Sequence, residues 1–232
     1  MKLVLIGGGD IGRADTKYET KEIDEEIVKL TNKTHPNFLF IGLASNFADS
    51  YYKIIKDIYK KLGCETGKIS NKTLTHMEVV EKKIKEADII YIGGGNTVKL
   101  VNLLKENGMD EMLKAAGKRG CVLSGVSAGA ITYCTYGLSD FEINEGISNN
   151  YVKVDGLGFT NYMFVPHFSS DEKKKEDLEK VLKENNDIKA LCVDNCCAVK
   201  IIDDDISIIR SKDDANCYKI VYSNELNIEK IK

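Results

Sequence analysis

Short apolar runs and amphipathic stretches alternate through most of this chain. The runs at 3–6, 38–43, 89–92, 121–123, 190–193 and 198–202 have the length and continuity of strands covered on both faces. Between them, apolar residues recur at helical spacing over 23–30, 51–62, 79–87, 98–105 and 178–182. Strands bounded by glycine and separated by helices predict an α/β fold built on a mostly parallel, doubly wound sheet. The rhythm changes near the C-terminus, where Ile201-Ile-Asp-Asp-Asp-Ile-Ser-Ile-Ile and residues 218–222 read as hairpin strands. No repeat, low-complexity tract or linker divides the chain. Residues 1–232 are therefore expected to form a single α/β domain, with 200–232 as a β-hairpin-like antiparallel extension.

Composition mainly excludes. A chain of 232 residues can bury a substantial core, and its net charge of -3 comes from interspersed acids and bases. Lys173-Lys174-Lys175 stands among acids and reads as a solvated helix face, so no nucleic-acid partner is expected. No apolar run approaches the ~20 residues of a membrane span. Met1-Lys-Leu-Val-Leu-Ile-Gly reads as a core strand and not as a leader. The seven cysteines are scattered through apolar segments, as buried reduced thiols of a cytoplasmic protein would be. Cys192, Cys196 and Cys197 cluster, but His35, His76 and His167 all lie elsewhere in the sequence. With no fourth ligand at a plausible spacing, no zinc site is expected. No other metal and no cofactor is expected either.

Chemistry concentrates where strands end. Cys121-Val-Leu-Ser-Gly-Val-Ser127-Ala-Gly-Ala is an apolar run leading into Gly-x-Ser-x-Gly, followed by a small-residue segment that can open a helix. This is the form of a nucleophile elbow, which holds a serine hydroxyl out at the end of a sheet. Gly93-Gly94-Gly95-Asn96-Thr97 closes another strand and opens a helix that Asn96 or Thr97 can cap. Its glycines can also aim an N–H group at the point Ser127 faces. Gly7-Gly8-Gly9-Asp10-Ile11-Gly12 matches a dinucleotide fingerprint, yet a polar stretch follows it and the second strand ends without an acid. It is better read as a loop lining a site at the sheet's C-terminal edge.

A serine nucleophile needs a proton acceptor, and imidazole suits that task near neutral pH. His167 follows the strand-like Met163-Phe-Val-Pro, whereas His35 and His76 sit in polar segments. The imidazole in turn needs a carboxylate to fix its tautomer. Asp140 in Gly137-Leu-Ser-Asp-Phe-Glu is the first candidate and Glu142 the alternative; Glu145 is the remaining acid in that loop.

Gly-x-Ser-Ala-Gly-Ala, the upstream Gly-Gly-Gly-Asn-Thr and the downstream Pro-His-Phe together resemble the serine peptidases of the dipeptidase E and cyanophycinase family. The likeness runs from the first strand to about Val199. It implies a class I glutamine-amidotransferase-like, flavodoxin-like three-layer fold, with Ser127 as nucleophile, His167 as base, and Ala128, Gly94 and Gly95 supplying the oxyanion hole. It further implies a small peptide as substrate, a homodimer as one possible assembly, and for Asp194 a structural rather than a catalytic role. Recognition of an aspartyl side chain would call for a bidentate cation. The arginines are Arg13, Arg119 and Arg210, and the segment directly after His167 carries lysines, so peptide specificity stays open. Two other readings fit parts of the pattern: an α/β-hydrolase-type esterase, and a non-catalytic binding protein on the same scaffold.

Overall fold

A computed structural model describes residues 1–13 and 16–231. Ala14 and Asp15, in the polar stretch after the first glycine loop, lie outside the described residues, as does Lys232. In the first half, strands β1 (Lys2–Ile6), β2 (Asn37–Gly42), β3 (Glu65–Ser70), β4 (Ile89–Ile92) and β5 (Val122–Val126) alternate with helices. The helices are α1 (Lys21–Lys29), α2 (Ala48–Lys61), α3 (Met77–Glu86), α4 (Thr97–Glu106) and α5 (Met109–Lys118). The five strands run parallel in the order β1-β5-β4-β2-β3.

Side chains alternate across this sheet with the period of two that strands impose. Val4, Ile6, Phe38, Phe40, Ile89 and Tyr91 face Ile23 and Ile27 of α1 and Ile55 and Tyr59 of α2. Leu3, Leu5, Leu39, Ile41, Ile90, Ile92 and Leu123 face the opposite way into the larger core. Both faces are buried, which is why these strands read as unbroken apolar runs.

The second half departs from the single sheet the sequence predicts. The short helix α6 (Ala128–Thr132) leads into β6 (Cys134–Ser139), α7 (Phe141–Asn144), β7 (Val152–Asp155), β8 (Thr160–Pro166), α8 (Glu172–Glu184) and β9 (Lys189–Val193). Beyond them lie β10 (Cys197–Ile202), β11 (Asp205–Arg210), β12 (Cys217–Ser223) and β13 (Glu225–Lys230). A second sheet forms in the order β13-β12-β9-β8-β6-β7. Two causes separate it from the first. A parallel return to β5 needs a crossover of a dozen or more residues, and only 127–133 intervene before β6. The free edge of β1 is also taken by β10, which pairs antiparallel and carries β11 beyond it. The C-terminal segment thus contributes a strand pair to each sheet: β10 and β11 to the first, β12 and β13 to the second.

Helix α6 contacts strands of both sheets, and α8 covers the outer face of the second through Leu178 and Leu182. The loop after β1 is tied down by a buried carboxylate, Asp24, which accepts hydrogen bonds from Tyr18, Thr20 and Tyr59. Desolvation raises its pKa to about 6. Among the described residues no helix is long and apolar enough to cross a membrane.

Candidate active site

The C-terminal ends of β1, β4 and β5 converge on Ser127, in the strand-to-helix turn between β5 and α6. Its backbone is in a rarely populated region (φ 54, ψ -117), and the turn survives because its surroundings leave no alternative. Ser127 N–H donates to Ile6 O at 3.0 Å, while Ser127 O accepts from the amides of Ala130 and Ile131. The flanking glycines are demanded by contact. A Cβ on Gly125 would lie 2.4 Å from backbone atoms of Gly129, and one on Gly129 would lie 2.1 Å from Ile92 O.

His167 lies just after β8, in the second sheet, with a left-handed backbone (φ 51). Its Nε2 is 3.1 Å from Ser127 Oγ. Its Nδ1 is 2.5 Å from Oδ1 of Asn195, a residue in the turn that crosses from β9 of the second sheet to β10 of the first. An amide oxygen at Nδ1 selects the tautomer with the proton there, leaving Nε2 free to accept the serine proton. The first glycine loop closes around this pair. Gly7 O accepts from His167 N–H at 3.1 Å, and Gly8 O accepts from Cys196 N–H at 2.9 Å. A Cβ on Gly8 would sit 2.2 Å from Asn195 Oδ1 and 2.3 Å from His167 Cε1. The Gly7–Gly12 loop therefore borders the site, as its sequence context predicts.

Neither predicted orienting acid is hydrogen-bonded to the imidazole. Asp140 is exposed at the N-terminus of α7 and acts on His167 only through its charge. Glu142 accepts from Ser148 at 2.9 Å, and Glu145 accepts from the Asn96 amide. The acids are drawn away because β6 ends beside α4 rather than over the ring, with Ser139 Oγ 3.1 Å from the buried hydroxyl of Thr97. Asp194 accepts from Ser169 N–H, Ser169 Oγ and Asn216 N–H, which pins the segment after His167 to the turn holding Asn195.

Buried Lys174 donates to Pro166 O and His167 O, both at 2.9 Å, and fixes the left-handed backbone of His167. Desolvation lowers its pKa. Desolvation also lowers the His167 pKa; the Asn195 hydrogen bond and the Asp140 charge oppose that shift, and the Lys174 charge adds to it. The result is an imidazole biased toward its neutral, proton-accepting form.

Gly94 abuts the serine: a Cβ placed there would be 3.8 Å from Ser127 Cβ. Asn96 caps α4 by accepting from Lys99 N–H at 2.9 Å. Among the described residues, the amides of Gly94, Gly95 and Ala128 donate to no protein acceptor. Ser127, His167, Gly94 and Gly95 border a cavity of about 240 Å³, with Gly8, Arg13, Phe40, Phe47 and Tyr51 among its other walls. His35 is exposed and bonds Gly63 O, and His76 is exposed at the start of α3. Cys192, Cys196 and Cys197 are buried free thiols whose pKa values desolvation raises. Among the described residues no group of three or more potential ligands could hold a metal ion.

The imidazole's far side is held by the amide of Asn195, which sequence reasoning, directed at carboxylates, passes over. The available signal was its place in Val193-Asp-Asn-Cys, a polar turn between two apolar strands.

Comparison with known proteins places the chain among peptidases. The chain is 26% identical over 222 residues to the uncharacterised peptidase YgaJ of Bacillus subtilis (strain 168), covering 95% of this chain and 93% of that protein. It is 25% identical over 219 residues to peptidase E of Nostoc sp. (strain PCC 7120), covering 90% and 86%. The fold matches the crystal structure of a peptidase from an acI-B1 Actinobacterium at a TM-score of 0.72 and 19% identity, over 100% of this chain and 93% of that one. It also matches a protein named for peptidase E from Listeria monocytogenes EGD-e, at a TM-score of 0.66 and 19% identity, over 90% and 98%. The sequence pattern of Peptidase family S51 spans residues 3–209, and the chain belongs to this family of serine peptidases.

Proposed function

We propose that this peptidase hydrolyses short peptides of the dipeptidase E type through Ser127, His167 and Asn195. The observation that carries the assignment is the approach of His167 Nε2 to Ser127 Oγ at 3.1 Å, with the far side of the ring held by Asn195. His167 takes the Ser127 proton as Oγ bonds to the scissile carbonyl carbon. Negative charge then develops on the carbonyl oxygen, facing the unoccupied amides of Gly94 and Ala128 at the opening of α6. Collapse breaks the C–N bond, and His167 returns the proton to the departing amine. Water, deprotonated by the same imidazole, then releases the acyl group and regenerates Ser127. Asp140, Glu142 and Gly95 take supporting parts in this scheme: a distant charge, a loop contact, and the turn that presents Gly94.

Asn195 differs from a carboxylate in one respect. It fixes the tautomer and orientation of the ring but gives imidazolium only dipolar stabilisation. Burial already favours the neutral imidazole, so the base is available at lower pH than a free histidine.

The direct test is labelling with a fluorophosphonate, followed by mapping of the modified residue. Modification at Ser127, lost in Ser127→Ala, is expected. Absence of labelling together with no turnover of a dipeptide panel would refute the assignment. Dipeptide turnover that persists in Ser127→Ala would refute it equally.

A further inference from the structure

Lys173-Lys174-Lys175 reads in the sequence as one solvated face, and two of the three behave that way: Lys173 pairs with Asp177 and Lys175 with Glu172. Lys174 does not. It is 4% exposed, and among the described residues it forms no ion pair with an acid. It also stands in the first turn of α8, where the helix dipole disfavours a cation. A buried ammonium without a carboxylate partner costs stability, so its presence here calls for a compensating task.

The bonds of Lys174 identify that task. Two successive carbonyls, Pro166 O and His167 O, converge on its Nζ at 2.9 Å each, across a residue whose left-handed backbone (φ 51) side chains rarely adopt unconstrained. The Tyr151 ring lies against the ammonium, 4.8 Å from centroid to Nζ, and its hydroxyl donates to Asp171 at 2.9 Å. Asn195 and Lys174 thus restrain His167 at different atoms. The first sets how the imidazole is turned; the second fixes the main chain from which the side chain starts. The charged groups facing the imidazole are Lys174 from α8 and Asp140 from the end of β6, of opposite sign. Lys174 itself is faced by Asp140, Asp171 and the Cys192 thiol.

We propose that Lys174 is a positioning residue for the reaction, its ammonium clamping the carbonyls of Pro166 and His167 so that Nε2 meets Ser127 Oγ. Its charge opposes imidazolium, and that of Asp140 favours it. The two tasks of a triad carboxylate are then divided: Asn195 and Lys174 orient the base, and Asp140 supplies the countercharge from a distance. This rests on the serine-peptidase mechanism above and adds a residue to it.

The test measures kcat and KM against pH for a dipeptide that the wild type hydrolyses, in Lys174→Met, Lys174→Arg and Tyr151→Leu, with thermal melts and fluorophosphonate labelling in parallel. Lys174→Met should lower kcat by roughly a hundredfold with little change in KM. Its residual activity should show an acidic limb displaced to higher pH, because loss of the cation favours imidazolium. Lys174→Arg keeps the charge, so it should recover part of kcat and leave the limb where the wild type has it. Tyr151→Leu should lower kcat less than Lys174→Met, and with Lys174→Arg it carries the test if the Met variant does not fold. A folded Met variant with wild-type kcat, or with its loss confined to KM, would overturn the inference. So would an acidic limb that stays put in Lys174→Met, or one that moves as far in Lys174→Arg. In each case labelling of Ser127 in the wild type leaves the peptidase mechanism standing. A wild type that neither labels nor turns over any dipeptide would sink both.

Discussion

The two halves of the proposed catalytic pair are held in place by different means. Ser127 is fixed chiefly by its own neighbours in sequence, in a turn whose glycines touch adjacent strands and whose helix begins one residue later, with one long-range hydrogen bond to Ile6 O. His167 is fixed largely by segments far away along the chain, Gly7 and Gly8, Asn195, and Asp194 through Ser169, with Lys174 seven residues on adding a nearer support. The serine end is therefore locally determined and intolerant of any added atom. The histidine end is a tertiary assembly in which each support acts on the ring without defining a strand or helix. Damage to the first should be felt by the fold, and damage to the second mainly by turnover.

The largest expected effect removes the reacting atom itself. Ser127→Ala should lower kcat by up to about 10⁶ while the far-UV circular dichroism spectrum stays unchanged. Retention of more than a few per cent of activity would mean that another group performs the attack. Next comes the ring's support. Asn195→Ala should cost up to about 10⁴ in kcat, whereas Asp140→Asn and Glu142→Gln should each cost less than about tenfold. A reversed ranking would return the orienting role to the loop after β6.

Glycine substitutions sharpen the contrast. Gly129→Ala drives a Cβ to 2.1 Å from Ile92 O and should lower the melting temperature or prevent folding. Gly8→Ala drives a Cβ into Asn195 and His167 and also takes a backbone (φ +152) that alanine rarely adopts, so it should lower kcat by roughly a hundredfold or more and the melting temperature with it. At Gly94 the added methyl finds only ordinary contacts, nearest Val126 O at 3.6 Å, and should slow turnover without unfolding. Gly95 is different, because φ +139 and a 2.3 Å approach to Ala44 O make any side chain there a structural lesion. Parallel thermal melts and single-turnover rates would show whether the two ends separate in this way.

The smallest effect is a displacement along the pH axis. Burial lowers the His167 pKa from its ordinary 6.5, so the acidic limb of kcat/KM should lie below that of free imidazole. Asn195→Asp places a negative charge at Nδ1, favours imidazolium, raises the pKa and should move that limb to higher pH. A limb that stays put in this variant would show that residue 195 does not face the ring.

The same division explains what could be read from the sequence. The first sheet was legible because its strands are covered on both faces and so appear as apolar runs. Ser127 and Gly94 were legible because a contiguous motif encodes a turn. Strand β3, Glu-Thr-Gly-Lys-Ile-Ser, is an edge strand with a single fully buried residue, Ile69, and carries no such signal. The second sheet was hidden because β6 and β7 are short, half-polar strands and because an α6 of five residues gives no warning of a change of sheet. Asn195 carries no charge, and nothing local marks it as the partner of a histidine 28 residues earlier. His167 was found only because strand ends are where such residues converge.

The proposed nucleophile and base, Ser127 and His167, ride on different sheets, and Asn195, which holds the far side of the imidazole, sits in the turn passing from one sheet to the other. Catalysis therefore reports on docking between two halves of the molecule rather than on the integrity of either. In a denaturant titration, activity should vanish before secondary structure does, because a sub-global opening that parts the sheets by an ångström or two already separates Nε2 from Oγ. A bound acyl group bridging Ser127 and the oxyanion amides would not protect against that opening, whereas a ligand spanning both sheets would. Turnover is thus a more sensitive gauge of this seam than any spectroscopic signal from the strands themselves.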